Sequence, residues 1–149
     1  MKRTIKTLIL ILSIISLNYA NVSANDGTSV QPTNKLRLVM QGLLKDTHLL
    51  SEGIFYGDFK KIEQAANNIA NHPKPGMPTM KKVIGYLGKE MPKFKGLDTK
   101  VHNLAVDITK SAKDKDMATV VSQYHQLIDG CQSCHSQFKK RVSNALNIK

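Results

Sequence analysis

The chain has 149 residues, with 22 Lys and Arg against 11 Asp and Glu and a formal charge of +11. That length suits one domain, and the two cysteines exclude a zinc site built from four. No nucleic-acid motif accompanies the basic excess, which leaves ordinary solubility, an acidic partner or anionic lipid headgroups as its readings.

The first residues fix a compartment. Lys2, Arg3 and Lys6 form a positive segment, residues 8–17 an apolar run too short to span a bilayer, and Val22-Ser23-Ala24 a small-residue cleavage site. Residues 1–24 read as a cleaved secretory signal, with an uncleaved anchor as the other reading, and residues 25–149 as one mature domain. Cleavage removes three of the 22 basic side chains and no acidic one, leaving 19 against 11, or +8.

Four main helices are expected in the mature chain. The first covers about 33–55 and carries Leu36, Val39, Met40, Leu43, Leu44, Leu50 and Ile54 at helical spacing on an inward stripe. Gly57-Asp58 breaks it, and Asp58 can cap a second helix over about 59–71, with Phe59, Ile62, Ala66 and Ile69 inward. The prolines of His72-Pro73-Lys74-Pro75-Gly76-Met77-Pro78 then force a connection, with a short helix around 80–87. A third main helix is expected from about Asp98 to Lys113, turning Val101, Leu104, Ala105 and Ile108 inward. Asp116 can cap the last, which runs to about Leu146 along the stripe Met117, Val121, Tyr124, Ile128, Cys131, His135, Phe138 and Val142. No strand alternation or repeat is visible. The fold expected is all-α, an antiparallel four-helix bundle.

The last helix carries Cys131-Gln132-Ser133-Cys134-His135. A C-x-x-C pair alone also suits a disulfide, a thioredoxin-like redox pair or half of a zinc site. No βαβ pattern surrounds it, and His48, His72, His102, His125 and His135 offer no closely spaced zinc-binding pair. C-x-x-C-H is the attachment signal for a covalent c-type haem. Two thiols three residues apart can bond the two vinyl groups of one porphyrin. The histidine, one turn after Cys131, then lies on the same face, where an imidazole can meet the iron. Such attachment takes place outside the bacterial cytoplasmic membrane, in agreement with the export signal. The site expected is Cys131 and Cys134 as haem thioethers, with His135 as the proximal iron ligand.

A single C-x-x-C-H near the C-terminus of a four-helix chain resembles the cytochrome c′ family, the class II c-type cytochromes. The resemblance covers residues 34–142. It is strongest at Gly130-Cys131-Gln132-Ser133-Cys134-His135-Ser136-Gln137-Phe138-Lys139, where the family usually has Arg in place of Lys139. Weaker likenesses lie in Ile69-Ala70-Asn71-His72-Pro73-Lys74-Pro75 and Met91-Pro92-Lys93-Phe94-Lys95-Gly96. The resemblance implies a haem held between helices, and its members divide over the sixth iron position. Typical members place an apolar residue of the first helix there, leaving the iron open to nitric oxide or carbon monoxide. Low-spin members place a Met there and transfer electrons.

Met40 precedes the turn at Gly57-Asp58-Phe59 by about the interval seen for the ligand in low-spin members. It is therefore the expected distal ligand, with core packing as the alternative. Leu36, Val39, Leu43 and Leu44 would wall the distal side. His48 lies eight residues away, so the two do not face one iron. No phosphate loop, carboxylate pair or nucleophile with a base points to an enzyme. The expectation is a periplasmic electron carrier with one haem c and redox partners of acidic character. No nucleic acid and no membrane span after cleavage are expected. The resemblance also implies a homodimer through the first two helices, for which Ile54, Phe55 and Tyr56 offer only a short apolar stripe.

Overall fold

A computed structural model describes residues 35–148, so the secretory signal expected over residues 1–24 lies outside the described residues. The described chain is all helical: α1 (Lys35–Tyr56), α2 (Phe59–Ala70), α3 (Met77–Leu87), a short 3-10 turn (Gly88–Glu90), α4 (Met91–Lys113), α5 (Met117–Cys134), a π-helical turn (His135–Lys139) and α6 (Lys140–Ala145). No strand occurs among these residues. None of the described helices is long and apolar enough to cross a membrane.

The helix ends follow from local chemistry. Gly57 takes a positive φ of 67°, which only glycine adopts cheaply, and the chain reverses there from α1 into α2. The amide of Lys61 donates to the Asp58 carboxylate at 3.0 Å, and the amide of Thr119 donates to Asp116 at 3.0 Å, so both expected caps form. The Thr119 hydroxyl and amide hold the Asp116 carboxyl below its usual range. This cap therefore stabilises α5 above the ordinary carboxylate pKa and is lost as pH falls through the lowered one.

One helix starts well before its expected position. α4 begins at Met91, not near Asp98. Pro92 lies in its first turn, where the missing N–H would have had no helical partner and the fixed φ already fits. Pro78 plays the same part in α3. A proline that ends one helix can begin another, and the connection is correspondingly short.

The core divides in two. In the first cluster, Leu50 of α1, Ile62, Ala66 and Ile69 of α2, Ala105 and Ile108 of α4, and Val120 and Leu127 of α5 are buried together. The second gathers Val83 and Leu87 of α3, Phe138 of the π turn, Val142 of α6 and Leu146. α2 packs on α1 and α4, and α4 packs on α5, while α1 meets α5 only sparsely. The α1–α5 edge is thus the loosely closed side of the first cluster.

Two close approaches test this packing. A Cβ on Gly53 would lie 2.9 Å from Ile62 Cγ1 and 3.1 Å from the Ile62 backbone nitrogen. Overpacking costs about 1–3 kcal/mol, against the ~1 kcal/mol by which Ala favours helix over Gly. Because backbone cannot swing aside, Gly53→Ala is expected to lower stability in urea unfolding. Phe138 is buried and meets the Phe94 ring edge-on at 5.4 Å. Phe138→Ala is expected to cost about 3–5 kcal/mol in the same measurement.

Candidate haem site

The two cysteines stand on the boundary between the clusters. Cys131 packs against the first and Cys134 against the second, and each is partly buried. Both are free thiols. Burial pushes the Cys131 thiol up. Burial, helped by Asp98 and Cys131, pushes Cys134 up to about 11. Both therefore hold their protons at neutral pH and keep little thiolate character. This is the environment of half-buried thiols lining an apolar edge.

His135 is exposed and begins the π turn. Partial burial, and then the charge of Lys139, push its imidazole below the usual histidine range. It is neutral near pH 7, with a lone pair free for a metal. A π turn inside an α-helix changes the angular step between successive side chains, and such turns recur at functional sites. The continuous helix expected to about Leu146 is therefore divided at the motif's own histidine. Nothing in the residue types marks this turn; neither Gly nor Pro lies in it.

The stripe of α5 also departs from expectation. Val120 and Leu127 are buried, whereas Val121 is only partly so, Ile128 is 37 % exposed, and His135 is exposed. The cause is α4. Gly130 lets α4 approach, its missing Cβ standing 2.9 Å from Val101 Cγ2, and the Ser111 hydroxyl donates to Gln123 at 3.0 Å. These contacts set the α4-facing flank of α5. Ile128 and His135 lie about 140–160° round the helix from Gly130.

The same correction applies to α1. Val39 is buried, while Met40 is 37 % and Leu44 57 % exposed, so neither of the latter lies on the inward stripe. α2 takes the opposite flank of α1: Gly53 abuts Ile62, and the Asn68 amide donates to Asp46 at 3.2 Å. Met40 lies about 120° round from Asp46, beyond the buried Leu50. Met40 and Leu44 on α1, and Ile128 and His135 on α5, thus occupy the flanks turned away from α2 and α4. Those flanks border the sparsely packed α1–α5 edge.

The levels along the helices agree as well. Leu36, one turn before Met40, packs on the second cluster with Cys134. Leu43, one turn after it, packs on the first with Cys131. Along α1, Met40 therefore lies between residues that pack on the two clusters. Leu36 and Leu43 wall this level, while Val39 is taken up by the core.

The remaining histidines lie elsewhere. His48 and His125 are exposed. The His102 Nδ1–H donates to the Ala70 carbonyl at 2.9 Å, closing the C-terminus of α2. His72 stands just beyond that helix end and bonds the Pro73 carbonyl at 3.0 Å. Among the described residues, no three His, Cys, Asp or Glu side chains converge as a metal site. A porphyrin brings its in-plane nitrogens with it and needs only axial ligands from the chain. The residues at the cluster boundary fit such a group: two protonated thiols, a neutral imidazole beside them, and uncovered apolar side chains at the same level.

No family model, no curated protein and no solved structure matches this chain.

Proposed function

We propose that this chain is an exported c-type cytochrome resembling the low-spin class II proteins: an antiparallel four-helix bundle of α1, α2, α4 and α5 carrying one covalent haem. One observation carries the reading. The two cysteines of C-x-x-C-H are free and half-buried, and divide between the two core clusters.

Cys131 and Cys134 would each add their S–H across a vinyl group, sulfur to one carbon and hydrogen to the other, with no net oxidation. Protonated, half-buried thiols suit that addition. His135 would hold the iron from the proximal side and Met40 from the distal side. When bound, the haem supplies one-electron oxidation and reduction, and a thioether ligand raises its potential. Leu36, Leu43, Leu44 and Ile128 would exclude water from the ring, favouring the less charged ferrous state. Residues 1–24 would direct export to the periplasm, where attachment takes place. The function is electron transfer, not conversion of an organic substrate.

The test is mass spectrometry of the chain matured with a haem-attachment system. A mass increase of one haem that survives acid–acetone extraction is the expected result. A haem that is extracted, or never acquired, contradicts the reading.

A further inference from the structure

The net charge of the described chain is confined to one part of it. Residues 35–73 and 101–134 hold eight Lys and Arg and eight Asp and Glu, and so are neutral. Residues 74–100 and 135–148 hold ten basic side chains and two acidic ones, Glu90 and Asp98. Glu90 is paired with Arg141. The basic segments form α3, the 3-10 turn, the start of α4, the π turn and α6, the elements around the second cluster. Lys81, Lys82, Lys89, Lys93, Lys139 and Lys140 are all exposed there. Cys134 packs on that same cluster, so the charged end borders the candidate haem site.

We propose that this end is the docking surface for an acidic redox protein, an inference that rests on the cytochrome reading. Charge complementarity identifies the partner: a concentrated positive field beside the site steers an acidic surface to it and orients it. The apolar residues agree. Met77 is 63 %, Ile84 45 % and Tyr86 52 % exposed on α3. Ile84 and Tyr86 stand two residues apart, about 200° round the helix, with Lys81 and Lys82 between them. They are separate contacts within a basic surface, as at a small transient protein interface. A helix lying in a bilayer needs a free continuous apolar face, and that of α3, through Val83 and Leu87, is buried in the second cluster.

The test compares two double variants of equal net charge, Lys82→Glu with Lys93→Glu at the basic end, and Lys45→Glu with Lys60→Glu at the neutral part. Poly-L-glutamate binding is measured with and without haem. Oxidation of the haem-loaded chain is timed with an anionic iron–cyanide couple and a cationic ruthenium–ammine couple. The basic-end variant is expected to lose about tenfold or more in poly-glutamate affinity and in rate with the anionic couple at low salt, and to gain rate with the cationic one. The control is expected to stay within about twofold. Equal losses in both variants would overturn the proposal, since net charge alone would then act, and would leave the haem reading standing. Tighter binding to phosphatidylglycerol vesicles through the same lysines would overturn it in favour of a lipid surface. Site-specific poly-glutamate binding by a chain that acquires no haem would contradict the cytochrome reading, and with it the redox nature of the partner.

Discussion

Replacing Cys131 and Cys134 together by alanine will abolish all haem retention through acid–acetone extraction, while the chain keeps its helical circular dichroism. The two thiols are the only cysteines, so no other side chain can form the thioethers. Each is only partly buried at the boundary of its cluster, and alanine there leaves the centres of both cores intact. The single replacements are expected to differ from the double. Each leaves one thioether, and hence a haem that stays attached but shows the band shift of an unreduced vinyl group. Cys131→Ala weakens a contact of the first cluster and Cys134→Ala one of the second, so urea unfolding separates a folding defect from a loss of attachment. Full haem retention by the double variant would remove the motif from the account.

Met40→Ala will convert a low-spin spectrum to a high-spin one and open the iron to carbon monoxide. Met40 is more than one-third exposed and packs in neither core, so its removal costs little in folding. A thioether worth roughly 3 kcal/mol at the sixth position implies carbon monoxide binding about a hundredfold tighter in the variant. The reduction potential is expected to fall, because the ligand that favours ferrous iron is gone. Val39→Ala is the contrasting variant. Val39 is buried one position away, so its loss should lower stability and leave the spectrum unchanged. A Met40→Ala spectrum identical to that of the parent would show that Met40 is not the sixth ligand.

Much of the helical framework was legible in the residues. Asp58 and Asp116 were readable as caps because a carboxylate before an apolar-periodic run has one obvious use, and both accept the expected amide bonds. Ile62, Ala66, Ile69, Ala105 and Ile108 were readable as core from spacing alone, and all are buried. The edges of the α1 and α5 stripes were not. Val39 and Leu50 were expected inward and are buried, but spacing at three and four residues admitted the exposed Met40 and Leu44 beside them, and admitted Val121 and Ile128 in place of the buried Val120 and Leu127. Tertiary contacts decide between them: Gly53 against Ile62 turns α1, and Gly130 against Val101 turns α5. Met91 and Pro92 were read as connection because proline punctuates a helix at either end, and only the fold shows which. The π turn has no sequence signal. The charge division could have been read from residue positions, but its meaning depends on α3 and α6 meeting around one cluster.

The proposed function stands on a protein-ligated covalent haem. The most direct measurement is the visible absorption spectrum of the matured chain, recorded oxidised, reduced, and reduced under carbon monoxide. Sharp low-spin bands that barely change with the gas are the predicted result, with His135 and Met40 both bound. Broad high-spin bands that shift at once under the gas would contradict the Met40 assignment. The absence of any haem band would contradict the account as a whole.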